Sequence, residues 1–243
     1  MPVIIVMDKN RTKQRPSDRI NEILEIISRD RTRTNLLRKQ EQRAIAWLVQ
    51  RIPERITSDM LSGFGLFGSF VVFAGFILAA YFDRMFLLLG PLGFLIGWFG
   101  DSLDGRLAYY RNKARRFYGF VLDITLDWTG IILIGSGFML YAEGFWELLG
   151  YGFVVMYGWE MIIVLMRYKI TNQYSIDSGK FSPTEARILI SLILILEVFL
   201  PGSISYSALI AVLILFAINV ADTSRLLRTA DIADKNEKNN IIP

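Results

Sequence analysis

Six apolar stretches, each long enough to cross a bilayer, constrain the fold more than any other feature of this chain. They lie at residues 59–81, 85–108, 118–142, 147–168, 184–200 and 204–223. A membrane-spanning helix needs about 20 mostly apolar residues, because the hydrocarbon core is about 30 Å thick. Backbone polar groups in that core must be hydrogen-bonded within the protein, which favours helices. The sequence therefore predicts an all-α polytopic membrane protein with six transmembrane helices.

Two charged regions flank this predicted membrane domain, which covers residues 58–226. Residues 1–57 are predicted as a cytoplasmic N-terminal region with amphipathic helices. In its second half, LLRKQEQRAIAWLVQRIP has the pattern of a helix that lies in the membrane interface. Residues 17–30 fit an interfacial helix and a soluble helix on the cytoplasmic loops about equally well. Residues 227–243, which contain DKNEKNN, are predicted to be a disordered cytoplasmic tail.

The positive charges indicate the orientation of the predicted spans. They are concentrated in alternate connections, at Arg106, Arg111, Lys113, Arg115 and Arg116 and again at Arg167, Lys169 and Lys180. Cytoplasmic loops carry such an excess of Lys and Arg, so both termini are expected in the cytoplasm, and we expect a bacterial or archaeal inner membrane. The formal net charge of +4 is explained by this topology, and no nucleic-acid partner is predicted.

The composition narrows the chemistry that the chain can perform. It contains no cysteine and no histidine, which excludes disulfides and thiolate chemistry and removes the commonest general base. Asp, Glu, Lys and Tyr remain for catalysis. Carboxylate oxygens suit hard cations such as Mg²⁺ or Mn²⁺.

Four aspartates occur where the second and third apolar stretches meet, in the run DSLDGRLAYYRNKARRFYGFVLDITLD. Asp101 and Asp104 are three residues apart and Asp123 and Asp127 four apart, so each pair shares one helix face. If the two helices pack as antiparallel neighbours, all four carboxylates line one cavity. An Asp at the centre of a span costs about 2.5–3.5 kcal/mol, so positive partners are expected. Such a cluster suits a pair of metal ions.

A strip of glycines leads along the second helix to these carboxylates. Gly90, Gly93, Gly97 and Gly100 recur at helical spacing, and the first three indicate a helix-packing surface. Gly105 and Ala108 continue the strip beyond the carboxylates. There a flat substrate group could approach the backbone as easily as another helix.

The run resembles the signature of the CDP-alcohol phosphatidyltransferase family, D-x-x-D-G-x-x-A-R followed by about eight residues and G-x-x-x-D-x-x-x-D. Seven positions match in order: Asp101, Asp104, Gly105, Ala108, Gly119, Asp123 and Asp127. The resemblance implies two Mg²⁺ or Mn²⁺ ions bound by Asp101, Asp104 and Asp123, with Asp127 in the same ligand set and acting as the catalytic base. It also implies a nucleotide site at Gly105, Ala108 and Gly119, and a homodimer.

Two departures from the signature bear on substrate preference. Tyr109 stands where the family usually has Arg, and nine residues rather than eight separate it from Gly119. Arg106 or Arg111 could supply the missing guanidinium. Arg187, near the start of the fifth helix, could bind an acceptor phosphate or carboxylate from a position that faces the aspartates. Two further intramembrane acids, Glu160 and Glu197, lie outside the signature.

The resemblance implies that the membrane domain is a catalytic domain that transfers a phosphatidyl or other phosphoalcohol group from a CDP-linked donor to an acceptor hydroxyl and releases CMP. We expect this reaction to serve phospholipid biosynthesis. CDP-diacylglycerol with a polar acceptor is the favoured pair, and a small CDP-alcohol with a lipid acceptor is the alternative. Buried acids in six spans also permit a cation or metabolite transporter. A nonenzymatic scaffold would leave the cost of the carboxylates unexplained.

Overall fold

The computed structural model describes residues 38–171 and 183–241, and these form seven α-helices with no strand. The helices are α1 (Arg38–Val49), α2 (Ser58–Tyr81), α3 (Leu89–Tyr110), α4 (Arg116–Tyr141), α5 (Glu147–Thr171), α6 (Pro183–Phe199) and α7 (Ser203–Ile241). Short 3₁₀ segments at Arg84–Leu88 and Gly144–Trp146 precede α3 and α5. The predicted all-α architecture is confirmed. The amphipathic pattern at residues 17–30 lies outside the described residues.

Each of the six predicted spans contains a helix. Five helical segments are long and apolar enough to cross a membrane: Ser58–Tyr81, Arg84–Tyr110, Arg116–Tyr141, Gly144–Thr171 and Ser203–Asn236. The remaining predicted span, residues 184–200, contains α6, which has 17 residues. At 1.5 Å per residue α6 is about 25 Å long, slightly less than the thickness of the hydrocarbon core. The chain is an integral membrane protein.

Glycines allow α2 and α3 to approach one another closely. A Cβ built on Gly100 would lie 2.6 Å from the Cα of Gly65, and one on Gly68 would lie 2.9 Å from the Cα of Gly97. Gly93 is enclosed in the same way by the backbone and side chain of Val72. Any larger residue at these positions would separate the helices. The structure thus confirms the helix-packing surface predicted for this strip.

The amphipathic helix α1 covers the end of the bundle at which α3 ends, here called the aspartate end. Its apolar residues Ile45, Ala46 and Val49 are buried in one cluster with residues of α2 and α3, namely Leu61, Leu103 and Leu107. Trp47 is half exposed, and the Arg51 guanidinium stacks 3.6 Å above its ring. An apolar face on the bundle and a Trp–Arg pair on the other side fit the predicted interfacial helix.

At the opposite end, Glu197 fixes the turn between α6 and α7. It is 3% exposed, and its carboxylate accepts four hydrogen bonds. The donors are the Tyr141 hydroxyl at 2.9 Å, Gly202 N at 2.9 Å, Ser203 Oγ at 3.1 Å and Ile204 N at 2.8 Å. Because two donors are backbone amides beside the start of α7, the carboxylate acts as a cap. A structural role therefore explains this buried acid.

The last helix is longer than the sequence indicated. Disorder was predicted for residues 227–243, whereas α7 continues to Ile241. With 39 residues it is about 58 Å long, well beyond the thickness of the hydrocarbon core. An ion pair between Asp231 and Lys235, with 2.6 Å between Oδ2 and Nζ, supports the extension at helical spacing.

Candidate active site

The two helices that carry the aspartates are positioned by a third helix. α2 packs against both α3 and α4, whereas α3 and α4 do not pack closely on one another. The sequence analysis assumes that α3 and α4 pack directly on one another. In the structure, each of them packs on α2 instead. The aspartates on α3 and on α4 are therefore positioned through the packing of both helices on α2.

A capping motif ends α3 just beyond the signature residues. Asn112, with φ 55°, has a left-handed conformation. Its N–H donates to the Tyr109 carbonyl at 3.0 Å, and Lys113 N donates to the Ala108 carbonyl at 2.8 Å. This pair of hydrogen bonds is the Schellman arrangement, in which asparagine is one of the residues that tolerate positive φ. The turn reverses the chain, so that Asp123 and Asp127 on α4 return to the depth of Asp101.

Three of the four signature aspartates come together where α3 and α4 face one another. Asp101, Asp123 and Asp127 each offer one carboxylate oxygen, and the three oxygens lie within 4.8 Å of one another. At that separation two unit charges repel by about 3 kcal/mol if the effective dielectric constant is 20. The arrangement is costly unless cations share it.

Asp104 is held differently, against α2. Its Oδ2 accepts a hydrogen bond from Ser62 Oγ at 2.6 Å, its Oδ1 accepts from Gly105 N, and its carbonyl accepts from Ser58 Oγ at 2.8 Å. Ser62 is 8% exposed, so this contact is within the helix interface. The sequence analysis did not single out either serine, because α2 reads as an apolar span; the structure shows that both contact a signature aspartate.

The expected positive partner comes from α6. Arg187 Nη2 lies 2.9 Å from Asp101 Oδ2, and both side chains are partly exposed. Arg187 thus lies beside the aspartates and pairs with a carboxylate of the cluster, and its predicted role with an acceptor phosphate or carboxylate stays a prediction. The cluster offers carboxylate oxygens as ligands, and these fit divalent hard cations such as Mg²⁺ or Mn²⁺.

The signature glycines beyond the carboxylates face open space. A Cβ at Gly105 or at Gly119 would meet no atom within 4 Å, and both residues are exposed. Ala108 is three residues farther along α3 and is partly exposed. Gly100, one turn before Gly105, is by contrast enclosed by α2. The strip thus changes from a packing surface to an open surface beside Asp101, which leaves room for a ligand.

Arg106 and Arg111, the two other residues predicted to bind phosphate, are enclosed by the fold. Arg106 is 6% exposed, next to the cluster that anchors α1. Arg111 donates to the carbonyls of Ile52 at 3.1 Å and Pro53 at 2.9 Å, and also to that of Ile56. Its guanidinium therefore fastens the link between α1 and α2 to the end of α3. These contacts describe scaffolding around the site, and the role of either arginine with a phosphate stays a prediction.

The loop between α3 and α4 is anchored by an ion pair with the start of α2. Arg115 Nη2 lies 2.5 Å and 2.7 Å from the two carboxylate oxygens of Asp59, and its guanidinium stacks 3.9 Å above the Tyr118 ring. The hydrogen bond to Asp59 raises the pKa of Arg115, so the side chain stays positively charged. The pair ties the beginning of α4 to α2.

Comparison with protein families agrees with this geometry. The family model for CDP-alcohol phosphatidyltransferases matches residues 55–221, more than half of the chain and all the helices that form the site. The chain belongs to the CDP-alcohol phosphatidyltransferase family. Its members are transferases of substituted phosphate groups, so the protein is assigned to that class of enzymes. No curated protein matches the sequence closely enough to be named as a relative.

Proposed function

We propose that the protein transfers a phosphatidyl group from CDP-diacylglycerol to the hydroxyl of a polar acceptor and releases CMP, in phospholipid biosynthesis. The observation that carries the proposal is the group of carboxylate oxygens of Asp101, Asp123 and Asp127 inside the region that matches the family. A diphosphate-linked donor brings negative charge, which such a site would tolerate only together with cations. The open surface at Gly105 and Gly119 gives the cytidine a place next to them.

The roles that we propose for the aspartates are those that the family signature implies. Asp101, Asp104 and Asp123 would hold the metal ions, and Asp127, in the same cluster, would be both a ligand and the base. Bound Mg²⁺ or Mn²⁺ would neutralise charge on the diphosphate and on the departing CMP. Asp127 would accept the proton of the acceptor hydroxyl as its oxygen forms a bond to the β-phosphorus of the donor. The phosphoanhydride bond then breaks, and its electron pair leaves with CMP.

Arg187 supports the same chemistry from α6. Its guanidinium, 2.9 Å from Asp101, would orient that carboxylate and reduce repulsion within the cluster. When an anionic substrate enters, the same guanidinium is close enough to pair with it, and Arg is well suited to bind phosphate and carboxylate groups. The basic connections place this site and both termini on the cytoplasmic side of the membrane in our proposal.

The decisive experiment measures CMP release by purified protein in lipid nanodiscs with Mg²⁺. CDP-diacylglycerol, labelled in its acyl chains, is offered with a panel of water-soluble hydroxyl compounds, and a small CDP-alcohol is offered with diacylglycerol. We expect CMP and a labelled phospholipid in the first arm. CMP in the second arm alone would reverse the assignment of donor and acceptor, and its absence in both would refute the proposal.

Two variants separate the role of Asp127 from general damage. Asp127→Asn keeps the shape of the side chain and removes the proton acceptor, so turnover should fall at least about hundredfold. Asp231→Asn is the matched control, because Asp231 is an exposed carboxylate on the extension of α7. Its turnover should equal that of the wild type. Retained activity in Asp127→Asn would contradict the assignment of the base.

A further inference from the structure

A second polar cluster lies between α5 and α7, away from the aspartates. Its central residue, Asn219, is 0% exposed, and its Nδ2 donates to the Met156 carbonyl at 2.7 Å. Its other polar atom, Oδ1, is buried and accepts no hydrogen bond from the described residues. The same is true of Glu160 Oε2 and Thr223 Oγ1 within the part of the chain that the structure describes.

The three buried oxygens lie along one line of contact. α5 and α7 run in the same direction, because Met156 contacts Asn219 and, farther along both helices, Arg167 contacts Asp222. Glu160 is one turn beyond Met156, and Thr223 is one turn beyond Asn219. Four residues of α-helix rise about 6 Å, so Glu160 and Thr223 both follow the Met156–Asn219 contact by about that distance, toward the same end of the bundle. We call Glu160, Asn219 and Thr223 the α5/α7 seam.

The nearby ion pairs do not supply hydrogen bonds to the three buried oxygens of the seam. Asp222, 4% exposed, uses one carboxylate oxygen for Arg167 at 3.3 Å and the other for Arg225 at 3.1 Å. Both arginines are thus directed to Asp222, and among the described residues neither forms an ion pair with Glu160. Each buried polar atom without a partner costs about 1–3 kcal/mol. Three on one seam indicate a place where a ligand supplies the donors.

The seam adjoins the active site through Tyr157. This residue lies three positions before Glu160 and so shares its helix face. The next residue on α5 packs against α4 beside the aspartates, because a Cβ built on Gly158 would lie 2.7 Å from the ring of Trp128, which follows Asp127. A substrate with one hydroxyl at Asp127 could therefore extend past Tyr157 to the seam.

We propose that the α5/α7 seam binds the hydroxyl or amine groups of the acceptor and thereby selects an acceptor rich in hydrogen-bond donors. The inference rests on the proposed function and adds the class of acceptor. A carboxylate, an amide oxygen and a hydroxyl all accept hydrogen bonds, as a polyol or an amino alcohol requires. The carboxylates of Glu160 and Asp222 disfavour a phosphorylated acceptor in the same place.

The test compares acceptors and variants in the CMP-release assay with CDP-diacylglycerol. The probes are inositol as a polyol, serine as an amino alcohol and glycerol 3-phosphate as a phosphorylated acceptor. We expect the wild type to prefer inositol or serine. Glu160→Gln should raise KM for the preferred acceptor about tenfold or more, as expected for lost hydrogen bonds to a charged group, with KM for the donor nearly unchanged.

A milder set of variants guards against misfolding. Thr223→Val removes one hydroxyl without loss of volume, Thr223→Ser restores it, and Ser224→Ala removes the neighbouring hydroxyl, which bonds within its own helix to the Val220 carbonyl at 2.9 Å. Of these three variants, only Thr223→Val should raise KM for the acceptor. Unchanged acceptor KM in both Glu160→Gln and Thr223→Val, or a wild-type preference for glycerol 3-phosphate, would overturn the inference and leave the transferase assignment intact. Absence of CMP with every acceptor would refute the proposed function itself.

Discussion

Glu197 and the aspartate cluster lie at opposite ends of this bundle, and their carboxylates are stabilised in different ways. Glu197 is surrounded by four donors and needs nothing from outside the protein. The cluster of Asp101, Asp123 and Asp127 instead brings three carboxylate oxygens within 4.8 Å of one another, beside the guanidinium of Arg187. A buried acid held by hydrogen-bond donors is explained by the fold, whereas carboxylates held this close to one another point to a cationic ligand.

Replacing an aspartate of the cluster should have the largest effect on activity. Asp123→Asn removes a metal ligand, and we expect CMP release to fall about a thousandfold, within the range that electrostatic stabilisation contributes to catalysis. Thermal unfolding should be unchanged or shifted upward in the absence of metal, because one of three like charges is gone. A clear loss of stability without metal would show that the cluster is structural, as Glu197 is.

Replacing Glu197 should have the converse effect. Glu197→Ala leaves the donors at Tyr141, Gly202 and Ile204 without their acceptor and should lower the free energy of unfolding by about 3 kcal/mol. Unfolding in detergent, with and without Mg²⁺, measures this. Activity per folded molecule should stay near that of the wild type. Glu197→Gln keeps an acceptor oxygen and should lose less stability.

Divalent cations should distinguish the two sites thermodynamically. Mg²⁺ or Mn²⁺ at 100 times the dissociation constant should stabilise the wild type by about 2.7 kcal/mol, and EDTA should reverse it. The shift in unfolding temperature should persist in Glu197→Gln and shrink in Asp123→Asn. An equal shift in both variants would place the bound ions elsewhere on the protein.

The smallest expected effect concerns Ser62, which holds Asp104 against α2. Ser62→Ala should weaken Mn²⁺ binding about tenfold, the lower end of the range for residues that orient metal ligands. Ser62→Thr keeps the hydroxyl and should recover most of the affinity. Titration followed by Mn²⁺ electron paramagnetic resonance measures binding without turnover. Equal affinities in the three proteins would remove Ser62 from the site.

Much of the fold was predictable because its signals are local. Apolar length predicted a helix at every one of the six spans, and the spacing of Gly90, Gly93 and Gly97 predicted a packing surface, which α6 covers at Gly90 and α2 covers at Gly93 and Gly97. The extension of α7 was not predictable from composition. Its polar residues have a low tendency to fold alone, but they continue a helix that the membrane span has already nucleated.

The sequence predicted which residues form the candidate site better than it predicted the contacts between them. The sequence by itself determined that Asp101 shares a helix face with Asp104 and Asp123 with Asp127, because the period of 3.6 residues is a property of any α-helix. Only the tertiary structure decided that Asp104 turns to Ser62, that Arg187 reaches Asp101 across 86 residues of sequence, and that Glu197 is held by four hydrogen-bond donors. These contacts join different helices, and their geometry depends on how closely glycines let those helices pack.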